Sequence, residues 1–241
     1  MMPKAILLDL DDTIIAHDYG IDTYGCWKTA CRTHLPDWDE ARVDAAIQAI
    51  LQQARWYWSD RDRHRIGRMD LDKARAEIIE GAFLNLGQPS SRELCERIAF
   101  DNGVERDRAI DLYPGAIDTL LHLKQIGIKL ALLTNGSTKA QRRKIDRFGL
   151  APYFDCIFVE EEFGVGKPDA RVYEQALRQL GVDREDAWMV GDNFEWEIVA
   201  PQRIGIKGIW VNPHKAEHPS TAVPYRTIAT LSELKSLLER E

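Results

Sequence analysis

The chain has 241 residues, of which 44% are hydrophobic and 29% are charged, a composition typical of a globular protein. This length is sufficient for one large domain or two small ones. A net charge of −7 without a basic tail disfavours nucleic-acid and membrane-surface binding as the main activity. No segment approaches the ~20 consecutive apolar residues of a spanning helix, and the first apolar run ends at Asp9. We therefore expect neither a membrane anchor nor an export signal.

The four cysteines show neither a CxxC pair nor a spacing typical of a metal site; they are Cys26, Cys31, Cys95 and Cys156. We expect them to be free thiols, in a protein that works in the reducing cytoplasm. Packing in the protein interior is the role expected for each of them.

Five apolar runs predict β-strands, at residues 4–9, 128–134, 156–159, 187–191 and 206–211. These runs are nearly continuous rather than alternating, which is typical of strands that are covered on both faces. The segments between them have helical patterns, at residues 115–126, 138–148, 169–180 and 194–204. In the last of these helices, Pro201 is expected to cause a kink or an early end. The alternation predicts an α/β fold with a Rossmann-like, doubly wound parallel sheet.

Residues 17–110 contain no convincing strand. Helical patterns occur there around residues 22–34, 38–56, 70–86 and 90–101. Some ninety residues of helix are too many for a simple crossover between two strands, so we interpret residues 17–110 as an inserted all-helical domain. The α/β core domain then consists of residues 1–16 and 111–241.

Three carboxylates, Asp9, Asp11 and Asp12, follow the first predicted strand directly. Alternation at the strand end places Asp9 and Asp11 on the same side. Two carboxylates so close together repel each other unless a cation lies between them or one carries a proton. This pattern indicates chemistry at the strand end. The alternative is an ordinary polar turn, since Asp is common in turns.

The other predicted strands also end in polar groups, in the segments Thr134-Asn135-Gly136-Ser137, Gly166-Lys167-Pro168 and Gly191-Asp192-Asn193. The carboxyl ends of parallel strands meet at one edge of the sheet, so these groups are expected to converge. Carboxylates can bind a hard cation there, while a lysine, a hydroxyl and backbone N–H groups can bind phosphate. An ATP-binding P-loop is excluded, because Glu161 and Pro168 stand where that motif needs Gly and Ser or Thr. The run Glu160-Glu161-Glu162 is expected to be a solvated loop.

The order of these motifs resembles the four-motif signature of the haloacid dehalogenase superfamily of hydrolases. The helical insertion resembles the cap of its C1 branch, so the resemblance covers the whole chain. The matching residues are Asp9-x-Asp11-x-Thr13, Thr134-Asn135, Lys167-Pro168 and Gly191-Asp192. The resemblance implies that Asp9 is a nucleophile and that Asp11 is a general acid and base, with Lys167 as the third catalytic residue.

The same resemblance implies Mg²⁺ as the cofactor, bound by Asp9, Asp192 and the backbone carbonyl of Asp11. The implied phosphate ligands are Thr134, Asn135, Gly136 and Lys167. Members of this family commonly have a second acid five places after the first acid of the last motif, and here that place is Glu197. Its side chain is longer, so we expect Glu197 to orient Lys167 or to lie beside the metal ligands, together with Asn193.

Asp11 also separates branches of the family, because dehalogenases and enzymes that cleave carbon–phosphorus bonds generally lack a second acid there. We therefore predict a Mg²⁺-dependent phosphatase that hydrolyses a small phosphorylated metabolite, such as a sugar phosphate or a nucleoside monophosphate. Its aspartyl-phosphate intermediate would form on Asp9. A phosphomutase with the same intermediate and a catalytically silent homologue are the alternatives. The expected enzyme is a cytoplasmic monomer or homodimer without a nucleic-acid or membrane partner.

Two side chains are candidates for substrate recognition. Tyr19 precedes Gly20, which could act as a hinge. Trp58 lies in the aromatic and arginine-rich segment 55–65, which could stack on a base or sugar. The alternative is a structural role, in which Trp58 packs within the helical domain and the arginines lie in solvent. Burial statistics for these residue types favour this structural role. His214 and His218 are expected to be ordinary loop residues.

Overall fold

The computed structural model describes residues 2–218 and 220–240. The chain forms two compact units. One contains the residues up to Tyr19 and those from Asp111 onward, and the other is Gly20–Ile110. In chain order, the strands are β1 (Ala5–Leu8), β2 (Ile15–Ala16), β3 (Asp111–Leu112), β4 (Lys129–Thr134), β5 (Cys156–Val159), β6 (Ala187–Gly191), β7 (Lys207–Val211) and β8 (Arg226–Ile228). The α-helices are α1 (Thr23–His34), α2 (Glu40–Ser59), α3 (Arg61–Gly67), α4 (Leu71–Asn85), α5 (Arg92–Ala109), α6 (Ala116–Gln125), α7 (Thr138–Arg147), α8 (Glu160–Phe163), α9 (Ala170–Leu180), α10 (Ala200–Arg203) and α11 (Glu233–Leu238).

The first unit is built on a six-stranded sheet with the order β5-β4-β1-β6-β7-β8. Every neighbouring pair in this sheet is parallel. The central strand β1 is buried along its whole length, as expected for a strand covered on both faces. The predicted α/β fold with a doubly wound parallel sheet is therefore confirmed.

Strand β1 lies between β4 and β6, and this placement brings the predicted motifs together. Leu8 is in register with Leu132 of β4 and with Val190 of β6. Because the strands are parallel, the segments that follow β1, β4 and β6 leave the sheet at the same edge. The topology thus assembles one site from parts of the chain that are far apart in sequence.

Several short elements of the first unit lie outside the sequence-based predictions. Strand β8 extends the sheet at its edge, and α11 follows it. Strands β2 and β3 pair in antiparallel orientation, with Ile15 opposite Leu112. This small ribbon lies where the chain leaves the first unit and where it returns.

The predicted helix at 194–204 needs a correction. The segment Phe194–Val199 is a π-helix, and α-helical geometry begins only at Ala200. Pro201 lies in the first turn of α10, directly after the π-helix. The helical run therefore changes its geometry next to the proline and ends at Arg203.

The second unit consists of α1 to α5, and no strand occurs among its residues, all of which the structure describes. Its helices begin at side-chain caps, among them Asp22, Asp39 and Ser91. The last helix is longer than predicted and runs to Ala109. In the described parts of the chain, no helix has both the length and the apolar character needed to cross a membrane.

The division between the units falls three residues later than the boundary expected from the sequence, which was placed after residue 16. Residues 17–19 belong to the first unit because Asp12 ties them to it. The Asp12 carboxylate accepts hydrogen bonds from the backbone N–H groups of His17, Asp18 and Tyr19, at 2.9–3.0 Å. Gly20, with a φ of +87°, is the first residue of the helical unit.

Candidate active site

Asp9 follows β1 directly, and its side chain lies in the interior of the first unit. Its backbone N–H donates to the carbonyl of Val190 at 3.0 Å, which continues the pairing of β1 with β6 beyond the last strand residue. The residue is only 8% exposed. Lys167 Nζ donates to Asp9 Oδ1 at 2.5 Å, so the buried carboxylate faces a buried cation.

Lys167 joins two acids from distant parts of the chain, Asp9 after β1 and Glu197 in the π-helix after β6. Its Nζ also donates to Glu197 Oε1 at 2.8 Å, and the residue is 1% exposed. The Asn135 side chain fixes the lysine backbone, accepting from the Lys167 N–H at 2.9 Å and donating to the Lys167 carbonyl at 2.7 Å. The Lys167–Pro168 peptide bond is cis. The lysine thus has a fixed main chain and two charged partners.

Gly191, at the end of β6, makes this close assembly possible. A Cβ atom at this position would lie 2.3 Å from Glu197 Cγ and 2.9 Å from Asp9 Cβ. Either distance is too short for two carbon atoms, so no larger residue fits without moving one of the acids. Glu197 reaches the lysine from the π-helix. The backbone N–H of Glu197 donates to the Asn193 carbonyl, and this hydrogen bond holds the first turn of that helix.

The electrostatics of this site are dominated by burial and by an excess of acids. Burial raises the pKa of Asp9, against the opposing effect of Lys167. Burial together with the neighbouring Asp9 raises the pKa of Asp192 to about 9, and burial raises the pKa of Glu197 to about 8. Burial on its own would lower the pKa of Lys167, but Asp9 and Glu197 outweigh it, and the net shift is upward. One lysine therefore neutralises only part of a group of three acids.

This donor set fits a hard divalent cation. Carboxylate and carbonyl oxygens are the ligands that Mg²⁺ prefers, and Asp9, Asp11 and Asp192 can supply them. Glu197 Oε2 is fully buried and has no hydrogen-bond partner among the described residues. A cation that neutralises the acids would lower the pKa values of Asp192 and Glu197 toward their ordinary range.

Asp11 has partners that the sequence analysis did not identify. Lys144 Nζ lies 2.6 and 2.7 Å from its two carboxylate oxygens. Gln141 Nε2 donates to Asp11 Oδ2 at 3.2 Å and to the Asn135 carbonyl at 2.6 Å. Burial raises the pKa of Asp11, but Lys144 and His17 outweigh this effect, and the net shift is downward. Both partners on α7 could have been suspected only as polar residues on the inward side of a helix.

Asp12, the third acid after β1, has a structural function. Besides the three backbone N–H groups of residues 17–19, it accepts from the Tyr113 hydroxyl at 3.4 Å. Asp12, His17 and Asp18 bring possible metal-ligating atoms within 4.8 Å of one another. Because Asp12 is already engaged by these donors, the cluster is explained as a turn that closes on its own backbone.

The predicted phosphate ligands after β4 differ in whether their hydrogen-bonding groups are already engaged within the protein. Thr134 Oγ1 is buried without a partner among the described residues, so it can donate to an anion. The N–H of Gly136 is already taken by Glu160 Oε2 at 2.9 Å. The expectation of a solvated loop at Glu160 was wrong, since this residue is buried and begins the single turn of α8.

Asn193 and the substrate candidates lie in different surroundings. Asn193 Oδ1 accepts from the Trp196 N–H at 3.2 Å and so caps the turn that carries Glu197. Tyr19 belongs to the first unit, is about half exposed, and has its ring 5.0 Å from that of His214. Trp58 belongs to the helical unit and packs edge-on against Tyr57 and His64, at 4.9 and 5.4 Å between ring centroids.

The fold and the convergence of four strand-end motifs define a hydrolase with an α/β core. The model of the haloacid dehalogenase-like hydrolases matches residues 3–205, and the chain belongs to this family. The family and the enzyme class predicted from the sequence, a hydrolase, are thereby confirmed.

Known relatives include phosphatases of different substrates. The chain is 30% identical over 252 residues to a phosphoserine phosphatase from Thermus thermophilus, an alignment that covers 96% of this chain and 97% of that protein. It is 37% identical over 126 residues to the pyrimidine 5'-nucleotidase YjjG from Escherichia coli, covering 52% of this chain and 56% of that protein. Among solved structures, the HAD-hydrolase YfnB from Bacillus subtilis, bound to magnesium, is similar with a TM-score of 0.71. Its sequence identity is 23%, and 99% of each chain is covered, so this similarity concerns the fold.

Proposed function

We propose that the protein is a Mg²⁺-dependent phosphatase that hydrolyses a small phosphorylated metabolite through an aspartyl-phosphate on Asp9. The observation that carries this proposal is the buried Asp9 carboxylate beside Lys167, with Glu197 as the second acid on the lysine. A nucleophilic carboxylate must reach a dianionic phosphate, and a fixed cation next to it reduces their repulsion. The free thiols predicted from the sequence are consistent with a cytoplasmic enzyme.

In the first half-reaction, an Asp9 carboxylate oxygen attacks phosphorus, and the bond between phosphorus and the ester oxygen breaks. The ester oxygen leaves with its electron pair and takes a proton from Asp11. Asp11 must first take up this proton from solvent as the phosphate dianion binds, because Lys144 holds the pKa of its carboxyl below the ordinary value in the free protein. In the second half-reaction, Asp11 removes a proton from water, whose oxygen attacks phosphorus, and the bond between Asp9 and phosphorus breaks. The enzyme then releases inorganic phosphate with Asp9 regenerated.

Lys167 and Thr134 are proposed to hold the phosphoryl oxygens during both steps. The unpartnered Thr134 hydroxyl and the ammonium of Lys167 are donors for oxygens that gain charge in the transition state. Asn135 contributes by fixing the lysine backbone rather than through a free amide of its own.

Mg²⁺ would be held by Asp9, Asp192 and the backbone carbonyl of Asp11. When bound, it supplies positive charge that offsets the repulsion between the acids and a phosphate dianion. Glu197 is proposed to keep Lys167 protonated and oriented toward Asp9, since it accepts one of the ammonium hydrogens.

The substrate is proposed to be a phosphate monoester of a small metabolite, such as a sugar phosphate or a nucleoside monophosphate. The relatives act on phosphoserine and on pyrimidine nucleotides, so the shared chemistry is the phosphate monoester rather than one leaving group. A phosphomutase would use the same aspartyl-phosphate. It differs in returning the phosphoryl group to the organic product.

The test is phosphate release from p-nitrophenyl phosphate and from a panel of phosphorylated metabolites by the full chain, with Mg²⁺ and with EDTA. We expect Mg²⁺-dependent turnover that is abolished in Asp9→Asn and retained in Asp118→Asn, a change of an exposed aspartate on α6. Full activity of Asp9→Asn, or undiminished activity in EDTA, would contradict the proposal. Isomerisation of a hexose 1-phosphate without phosphate release would favour the phosphomutase.

A further inference from the structure

The Asp11 carboxylate is held by one face of helix α7. Lys144 Nζ contacts both of its oxygens, at 2.6 and 2.7 Å, and Gln141 Nε2 contacts Oδ2 at 3.2 Å. Residues 141 and 144 are one helical turn apart, so both side chains leave the helix in the same direction. Both are buried, whereas Lys139 and Arg143 on the same helix are exposed.

Stability alone is a weak explanation for this arrangement. A buried ion pair loses the hydration of both charges, and an apolar pair of similar size is often as stable. The orientation of Gln141 carries a further cost, because its Oε1 is buried without a partner among the described residues. Its amide hydrogens are used instead on Asp11 and on the Asn135 carbonyl. These costs are understandable when the orientation of the carboxylate itself is needed.

We infer that Lys144, assisted by Gln141, is a positioning residue that fixes the ionised Asp11 carboxylate as the base that removes a proton from the attacking water. This inference rests on the proposed function of Asp11. Asp11 follows β1, and its backbone forms an isolated β-bridge with Ile15, which does not by itself select a rotamer of the side chain. Donors to both carboxylate oxygens select one orientation from these rotamers. The contact also links the loop after β1 to α7, and Gln141 links the same helix to the Asn135 carbonyl.

The inference predicts that Lys144 acts through Asp11 and not independently of it. A small displacement of a catalytic group costs up to about 100-fold in rate. We therefore expect Lys144→Met to lower kcat about 10- to 100-fold on p-nitrophenyl phosphate with Mg²⁺, with KM changed less than about threefold. Lys139→Met, the same change on the exposed side of α7, is the matched control and is expected to keep wild-type kcat.

The decisive measurement is a double-mutant cycle with Asp11→Asn. If Lys144 works by orienting Asp11, then kcat of Asp11→Asn/Lys144→Met equals that of Asp11→Asn within about twofold. If the loss caused by Lys144→Met persists in full in the Asp11→Asn background, or if Lys144→Met has wild-type kcat, the inference is wrong. A wild-type enzyme without activity on any phosphate monoester would instead contradict the proposed function, so the two failures are distinguishable.

Circular dichroism and the melting temperature show whether Lys144→Met folds. Should it not fold, Gln141→Met takes its place in the same cycle. It removes the contacts with Asp11 Oδ2 and with the Asn135 carbonyl but keeps Lys144, and the cycle with Asp11→Asn separates the two effects. A loss of kcat that disappears in the Asp11→Asn background supports the inference. A loss of the same size in both backgrounds, or no loss, overturns it.

Discussion

The ammonium of Lys167 lies 2.5 Å from Asp9, and the two residues are 158 positions apart in the chain. The same nitrogen lies 2.8 Å from Glu197, so a single buried cation holds two buried carboxylates in place. This relationship makes Lys167 important for the fold as well as for the chemistry, and it leads to the first prediction.

Lys167→Met is expected to lower the free energy of unfolding by about 3–5 kcal/mol near neutral pH, because it leaves buried carboxylates without their cation. Urea unfolding followed by circular dichroism measures this change. Lys167→Met/Glu197→Gln should recover part of the loss, since it removes one of the two acids. Lys139→Met, at an exposed site, should stay within about 0.5 kcal/mol of the wild type. A wild-type unfolding free energy for Lys167→Met would show that the ion pair does not stabilise the fold.

The pKa values of Asp192 and Glu197 predict how stability depends on pH without metal. They rise from ordinary values of 3.8 and 4.5 to about 9 and about 8 in the folded protein. At pH values between the ordinary and the raised pKa values, the folded state binds more protons than the unfolded state. The free energy of unfolding therefore falls as pH increases. For one such group the slope is up to about 1.4 kcal/mol per pH unit. Urea unfolding after EDTA treatment, between about pH 6 and pH 8, measures it.

Mg²⁺ should reverse this trend, because it binds the ionised carboxylates of the folded state and adds more stability at higher pH. Asp192→Asn removes one titrating ligand, so both the slope and the gain from Mg²⁺ should be smaller in this variant. Metal-free stability that increases from pH 6 to pH 8 would contradict the assignment of these acids as a shared cation site.

The cysteines should be unreactive in the folded protein. All four are buried, and burial raises the pKa of Cys31 to about 12 and that of Cys156 to about 11. Since the thiolate is the reactive form, modification by Ellman's reagent at pH 8 should be slow in buffer and fast in urea. Rapid labelling of native protein would show that one of the thiols is accessible.

For Trp58 the two interpretations of the aromatic segment make opposite predictions. Its contacts with Tyr57 and His64 favour packing, so Trp58→Ala should lower the free energy of unfolding by about 1–3 kcal/mol. Trp56→Ala is the matched control, because Trp56 is 54% exposed and lies under the Arg63 guanidinium. A changed substrate profile with unchanged stability in Trp58→Ala would favour substrate recognition instead.

The strands of the sheet centre could be predicted because each is a continuous apolar run, which parallel packing requires. Strand β8 could not, since it has three residues and only Ile228 among them is buried. The π-helical geometry of residues 194–199 could not be predicted either, because the local sequence favours an ordinary α-helix there. Within this π-helix, Glu197 packs against Gly191 and accepts from Lys167, contacts with other parts of the chain that the local sequence does not reveal.

The candidate site shows the same division between local and distant information. Strand-end acids are visible in sequence, because a strand that ends in carboxylates is unusual. The contact of Lys144 with Asp11 spans 133 positions, and the surrounding helix is so rich in charge that one buried lysine does not stand out. Glu160 was misjudged for the same reason, as one member of a run of three glutamates.

The two hydrogen bonds between the Asn135 amide and the main chain of Lys167 reproduce one rung of a β-ladder without a neighbouring strand. The backbone at the lysine is therefore ordered when the protein folds. Its conformational entropy is lost at that stage and does not have to be lost again when an anion arrives. A single asparagine side chain in this way transfers part of the cost of binding to the cost of folding.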